Sequence, residues 1–159
     1  MRSAPLSLKA AALRLLAQRE QSVAELRRKL LRRGVAADRT PAAGEVEDVL
    51  GWLVVNNYLS DDRFAESRVQ ARSARYGNLR IRNELAQHGV KLAPEVEADL
   101  AASEFERATA VWQRKFGLAP ADANEQARQA RFLTGRGFSS QVVRRLVRRS
   151  GSRGEAPGD

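Results

Sequence analysis

The chain contains no cysteine, which excludes disulfides, thiol nucleophiles and thiolate metal sites. Its single histidine, His88, cannot build a histidine-rich metal centre. Aromatic residues are only 6% of the chain. No apolar run approaches the ~18 to 20 residues needed to cross a bilayer, and Met1 to Pro5 lacks a signal-peptide core. No segment shows the period-two alternation of a strand, and the β-branched pair Val54-Val55 lies inside a helical stripe. A soluble cytoplasmic protein without a cofactor is the expectation.

What the chain has in abundance is alanine, leucine, arginine and glutamate, all helix formers. Lys and Arg number 28 against 19 Asp and Glu, a formal charge of +9 that favours polyanions or an acidic protein face through long-range attraction.

One sub-pattern occurs three times. A basic helix ends Leu30-x-x-x-Gly34-Val35, Leu85-x-x-x-Gly89-Val90 and Leu133-x-x-x-Gly137-Phe138. Each copy is followed by a helix carrying Val-x-x-x-Leu, namely Val46/Leu50, Val96/Leu100 and Val142/Leu146. Recurrence roughly every 50 residues predicts stacked helical units, with each glycine as a left-handed helix terminator. The expected fold is all-α: nine helices in three tandem three-helix units forming an elongated, curved array, over residues 7–59, 60–102 and 103–149, with a disordered tail at 150–159.

Local signals place these helices. Ser22-Val23-Ala24-Glu25 reads as a capping box, and Val46, Val49, Leu50, Leu53 and Val54 form the stripe of a helix running from about Glu45 to Tyr58. Ser60 can cap the next helix, with Asp61 and Asp62 in its first turn, where the helix dipole favours negative charge. Pro94 fits a first helical position. A separate helix from about Ser103 carries Phe105, Ala108, Trp112 and Phe116, Asp122-x-x-Glu125 opens another, and Ser139 or Ser140 caps the last. Tyr58, Leu59 and Phe64 are expected in the core.

Catalytic chemistry is not indicated. First-turn placement already accounts for Asp61-Asp62, His88 has no oriented carboxylate or nucleophile beside it in sequence, and Gly135-Arg136-Gly137 follows a helix rather than the strand of a phosphate loop. The candidate binding residues are the basic clusters: Arg27, Arg28, Lys29, Arg32 and Arg33; Arg80 and Arg82; Arg128 and Arg131; Arg144, Arg145, Arg148 and Arg149. With Val23, Leu26 and Leu30 inward, Arg28, Lys29 and Arg32 point outward at 100° per residue. No unit presents the Asn/Gln/Arg mixture that base readout prefers, so a sequence-independent DNA-binding module is the reading that competes with protein binding.

Four motifs together carry a resemblance. Asn57-Tyr58-Leu59-Ser60-Asp61-Asp62-Arg63-Phe64-Ala65 is similar to a family stretch Gly-Tyr-Leu-Asp-Asp-x-Arg-Phe-Ala. Arg80-Ile81-Arg82-Asn83-Glu84-Leu85 with His88-Gly89-Val90 resembles its Arg-Ile-x-x-Glu-Leu…Lys-Gly-Ile/Val element. Phe132-Leu133 with Arg136-Gly137-Phe138-Ser139 resembles Phe-Leu-x-x-Arg-Gly-Phe, and Ser22-Val23-Ala24-Glu25-Leu26 with Lys29-Leu30 and Gly34 resembles Ser-x-x-Glu-Leu-x-x-Lys-Leu…Gly. The family is RecX, the bacterial regulators of the RecA recombinase, and the likeness covers about Leu8 to Val147. Asn57 stands for the usual Gly, a Ser precedes the acidic pair, His88 stands for a usual Lys, and Gly135 occupies a commonly basic position. The resemblance implies a monomer that binds RecA and the RecA–ssDNA filament, lodges in the filament groove, limits extension, ATP hydrolysis, strand exchange and co-protease activity, and binds DNA directly only weakly.

Overall fold

The structure, a computed structural model, describes residues 6–36, 41–42 and 44–152. Half of the connection expected at Arg39 to Gly44 therefore lies outside the described residues, as does the expected tail from 153 onward. The described residues form eight helices and no strand: α1 (Leu8–Leu16), α2 (Val23–Ala36), α3 (Glu45–Val55), α4 (Asp61–Arg72), α5 (Asn78–Gln87), α6 (Pro94–Lys115), α7 (Ala123–Gly135) and α8 (Ser140–Ser152). Nine helices were expected. The difference is α6, which runs 22 residues without interruption from Pro94 at its first turn. Between Glu95 and Lys115 the chain has no glycine or proline, so nothing stops the helix at the expected break near Ser103. Ser103 instead sits mid-helix with its Oγ on the Leu100 carbonyl at 3.3 Å.

The packing falls into two compact bodies, Met1–Ser67 with Ala86–Lys91, and Arg68–Leu85 with Leu92–Asp159. In the first, α1, α2 and α3 enclose an aliphatic core of Ala11, Ala12, Leu26, Leu30, Val46, Leu50, Leu53 and Leu59. Phe64 and Ala65 of α4 are buried as well. Two side chains cap α2: Ser22 Oγ accepts from the Glu25 amide at 3.1 Å, and Asp61 accepts from the Val23 amide at 2.8 Å. Ser22 Oγ also donates to the His88 carbonyl at 3.0 Å, and the His88 ring meets Phe64 edge-on at 5.1 Å. The second body packs α6, α7 and α8 around Ala108, Val111, Trp112, Leu133, Phe138, Val143, Leu146 and Val147. Here the buried Glu104 of α6 accepts from the Asn78 amide that opens α5, and from the amide and hydroxyl of Ser139 that open α8.

All six leucines of the repeated pattern (Leu30, Leu50, Leu85, Leu100, Leu133 and Leu146) are buried. Gly89 and Gly137 have φ of 71° and 87°, as helix terminators should. Gly34 does not end its helix, because α2 continues through Val35 to Ala36. At the other end of the chain, α8 extends through the residues expected to begin the tail. Ser150 is buried and bonds back to the Leu146 and Val147 carbonyls, both at 3.0 Å.

The α3 end also departs from expectation. The helix stops at Val55 rather than Tyr58, and Asn57 takes a left-handed φ of 61°. That reversal breaks the helical phase, so Leu59 turns inward while Tyr58 stays 51% exposed; Val54, inside α3 and expected in its stripe, is itself 49% exposed. Tyr58 stacks on Trp52 instead, with centroids 5.5 Å apart, and the Lys9 ammonium lies 3.2 Å over the Trp52 ring.

Candidate functional site

The α2 cluster separates into two groups. Arg27 is held by Glu47 through Nε–Oε1 at 2.6 Å and Nη2–Oε2 at 3.1 Å. Lys29, expected to face outward, is half-buried and held by Glu25 at 2.9 Å and Gln21 at 2.8 Å, with Arg19 bonding the same Glu25 carboxylate. Burial disfavours the charged form of Glu25, but hydrogen bonds and charge from Arg19 and Lys29 outweigh it and lower its pKa to about 2. Both Arg27 and Lys29 are therefore engaged by carboxylates within the chain. Arg28, Arg32 and Arg33 are exposed and meet no carboxylate among the described residues.

The second body sorts its cations in the same way. Arg82 pairs with Glu97 at 2.6 Å, and Arg128 pairs with Glu125 at 2.8 Å, one turn away. Arg131 is exposed. α8 is the most strongly two-faced element: Val143, Leu146 and Val147 are buried, while Arg144, Arg145, Arg148 and Arg149 are exposed. Helical spacing divides these arginines into two pairs. Arg145 and Arg149 lean over the Phe105 ring at 4.0 and 5.5 Å. Arg144 and Arg148 line a groove of about 670 Å³ with Gln126, Ala130 and Gln141. No carboxylate pairs with Arg144, Arg145 or Arg148 among the described residues.

Arg80 is exposed and lies 4.2 Å over the Tyr76 ring, with Arg136 at 5.4 Å from the same ring. Sequence reasoning treated Arg136 as part of a helix break and did not single out Arg75, Arg114 or Lys115. These four line one cavity with Tyr76 and Phe132. A basic residue beside each aromatic (Arg75-Tyr76, Arg131-Phe132) was visible in sequence, but which residues converge was not.

Asp61 is occupied as a cap of α2, and among the described residues no group of three or more His, Asp or Glu could hold a metal. No helix among them is long and apolar enough to cross a membrane.

These elements match three domain descriptions in chain order: "RecX, first three-helix domain" over residues 9–40, "second three-helix domain" over 60–91 and "third three-helix domain" over 102–147. The "Regulatory protein RecX" of Ralstonia nicotianae is 51% identical over 145 residues, which is 90% of this chain and 87% of that protein. The chain belongs to the RecX family.

Other RecX relatives agree: that of Herbaspirillum seropedicae is 47% identical over 88% of each chain. The RecX crystal structure from Lactobacillus salivarius superposes with a TM-score of 0.71, at 19% identity, over 89% of this chain and 93% of that one. At that identity the likeness speaks to the all-α fold alone. The RecX departures acquire physical meaning here. The usual glycine falls where Asn57 is left-handed, and asparagine is among the few residues that tolerate such a backbone. His88 packs its ring on Phe64 with Nδ1 buried and without a hydrogen-bond partner among the described residues, so it is part of the packing around α4.

Proposed function

We propose that this RecX-family chain restrains the RecA recombinase by binding RecA–ssDNA filaments in their helical groove, limiting extension, ATP hydrolysis, strand exchange and co-protease activity. The observation that carries the reading is the ordered match to all three RecX domains, joined to relatives about half identical in sequence. The exposed arginines supply a plausible means. Arg28, Arg32, Arg33, Arg131, Arg144, Arg145 and Arg148 are uncommitted to internal carboxylates among the described residues, so their charge is available to an acidic filament surface. Three successive helical units over 7–59, 60–102 and 103–149, acting as a monomer in the cytoplasm, would engage successive filament subunits.

Substoichiometric protein is expected to suppress ssDNA-dependent ATP hydrolysis by the cognate recombinase. Unchanged hydrolysis across a full titration at low salt would overturn the reading. A DNA-coating module is the second reading, supported by Arg144, Arg145 and Arg148 of α8, which pair with no carboxylate among the described residues. It predicts equal inhibition of unrelated DNA-dependent ATPases, where the first reading predicts selectivity for the recombinase.

A further inference from the structure

Four cations converge on one open surface depression, away from the helix faces that sequence singled out. A cavity of about 390 Å³ in the second body is lined by Arg75, Arg114, Lys115 and Arg136 around the rings of Tyr76 and Phe132. Among the described residues no carboxylate lines it. Arg80, which does not line it, lies 4.2 Å from the Tyr76 ring centre.

The backbone around the cavity is held in place. The Gly77 amide donates to the Arg136 carbonyl at 2.9 Å, and the Leu79 amide to the Gly137 carbonyl at 3.0 Å, which joins the turn before α5 to the turn after α7. A Cβ on Gly77 would lie 2.2 Å from the Phe138 amide nitrogen, so only glycine permits this approach. From α6, Arg107 donates to the carbonyls of Ser73 and Tyr76, and Arg114 to that of Ala74 at 2.7 Å. The segment carrying Arg75 and Tyr76 is therefore tied down through its carbonyls, leaving its side chains to define the cavity.

The cations are also pre-oriented. Arg136 lies 5.4 Å from the Tyr76 ring centre and 5.2 Å from that of Phe132, and Lys115 lies 5.6 Å from Phe132. Seating a guanidinium on an aromatic face restricts its rotamers before a ligand arrives, so less entropy is lost on binding. Like charges gathered without a counter-charge repel one another, and an entering anion relieves that repulsion. We propose that this cavity is a phosphate-binding pocket for the backbone of single-stranded nucleic acid. Arginine forks match phosphate oxygens, and cations interleaved with aromatic rings are the composition of single-strand grooves. A backbone phosphate carries one negative charge, as a carboxylate does, but phosphates repeat along a strand, so successive ones can neutralise several of these cations. The proposal draws on the preceding reading only in taking nucleic acid as the polyanion, and it needs no recombinase.

Fluorescence anisotropy of a labelled oligodeoxythymidylate across a salt titration, without recombinase, tests it. Arg75 and Lys115 are both exposed. Arg75→Gln with Lys115→Gln is expected to weaken low-salt binding about tenfold, to lower the log–log salt slope by about 1.4 (roughly 0.7 for each lost phosphate contact), and to leave the melting temperature unchanged. Arg14→Gln with Lys91→Gln removes the same charge from exposed positions elsewhere and is the reference. Equal losses in both double variants would reduce the effect to net charge and overturn the pocket. Intact DNA binding combined with lost inhibition of recombinase ATPase would assign the cavity to an acidic protein face and likewise overturn it. If the wild-type chain failed to inhibit the recombinase while the pocket variant still lost DNA binding, only the recombinase reading would fail.

Discussion

Asn57 holds a left-handed backbone with φ of 61°, and Arg63 reinforces it by donating to the Asn57 side-chain oxygen at 2.8 Å and to its carbonyl at 3.0 Å. Asn57→Gly should be tolerated within about 0.5 kcal/mol, whereas Asn57→Val should cost about 1 to 3 kcal/mol in urea denaturation, because a β-branched residue is strained there. Equal stability of the two variants would contradict the strain. Glu25 gives a pH-dependent counterpart. Its folded pKa of about 2 lies below the ordinary 4.5, so its contribution is complete above about pH 4.5 and is lost as pH falls toward 2. Glu25→Gln should flatten the decline of melting temperature across that window, and a parallel decline in the variant would count against it. The capping role of Ser22 was legible in sequence because its acceptor geometry involves Glu25 only three residues on, and the burial of Phe64 because it is the large apolar residue of its helical turn. The exposure of Tyr58 was not, because one left-handed residue resets the helical phase that the apolar pattern assumed.

α6 shows the limit of reading elements by their ends. Sequence signals correctly placed Pro94 at its start, but an alanine- and glutamate-rich stretch offers no boundary, and two expected helices are one. Its Glu104 opens both α5 and α8, accepting from Asn78 and Ser139, which lie 26 and 35 residues away. Arg107, one turn on, is shifted below the ordinary arginine pKa by burial, with the Glu104 charge opposing. A helix cap contributes ~0.5 to 2 kcal/mol, so Glu104→Ala, losing two, is expected to cost about 1 to 4 kcal/mol by thermal or urea unfolding. A loss near zero would mean that α5 and α8 begin without it. No local pattern marks Glu104, because its partners arrive only through tertiary packing.

For the whole molecule, the charge of +9 divides into cations that hold the fold and cations that remain available. Arg28→Glu with Arg32→Glu alters two exposed residues of α2. It should leave the melting temperature within a few degrees and weaken binding to RecA–ssDNA filaments by at least tenfold in a co-sedimentation assay. A collapse in melting temperature would show that these arginines support the fold, and unchanged binding would remove them from the interface. The sequence by itself determined the all-α class, the buried leucines of the threefold pattern and the RecX likeness, because helical periodicity, caps and short motifs are local and survive in one dimension. Only the tertiary structure decided which arginines are taken up by Glu47 and Glu97, that α6 is continuous, and that Arg75, Arg114, Lys115 and Arg136 converge on Tyr76 and Phe132. Ion pairing and convergence depend on distances between residues far apart in the chain, and those distances are set by how the helices pack.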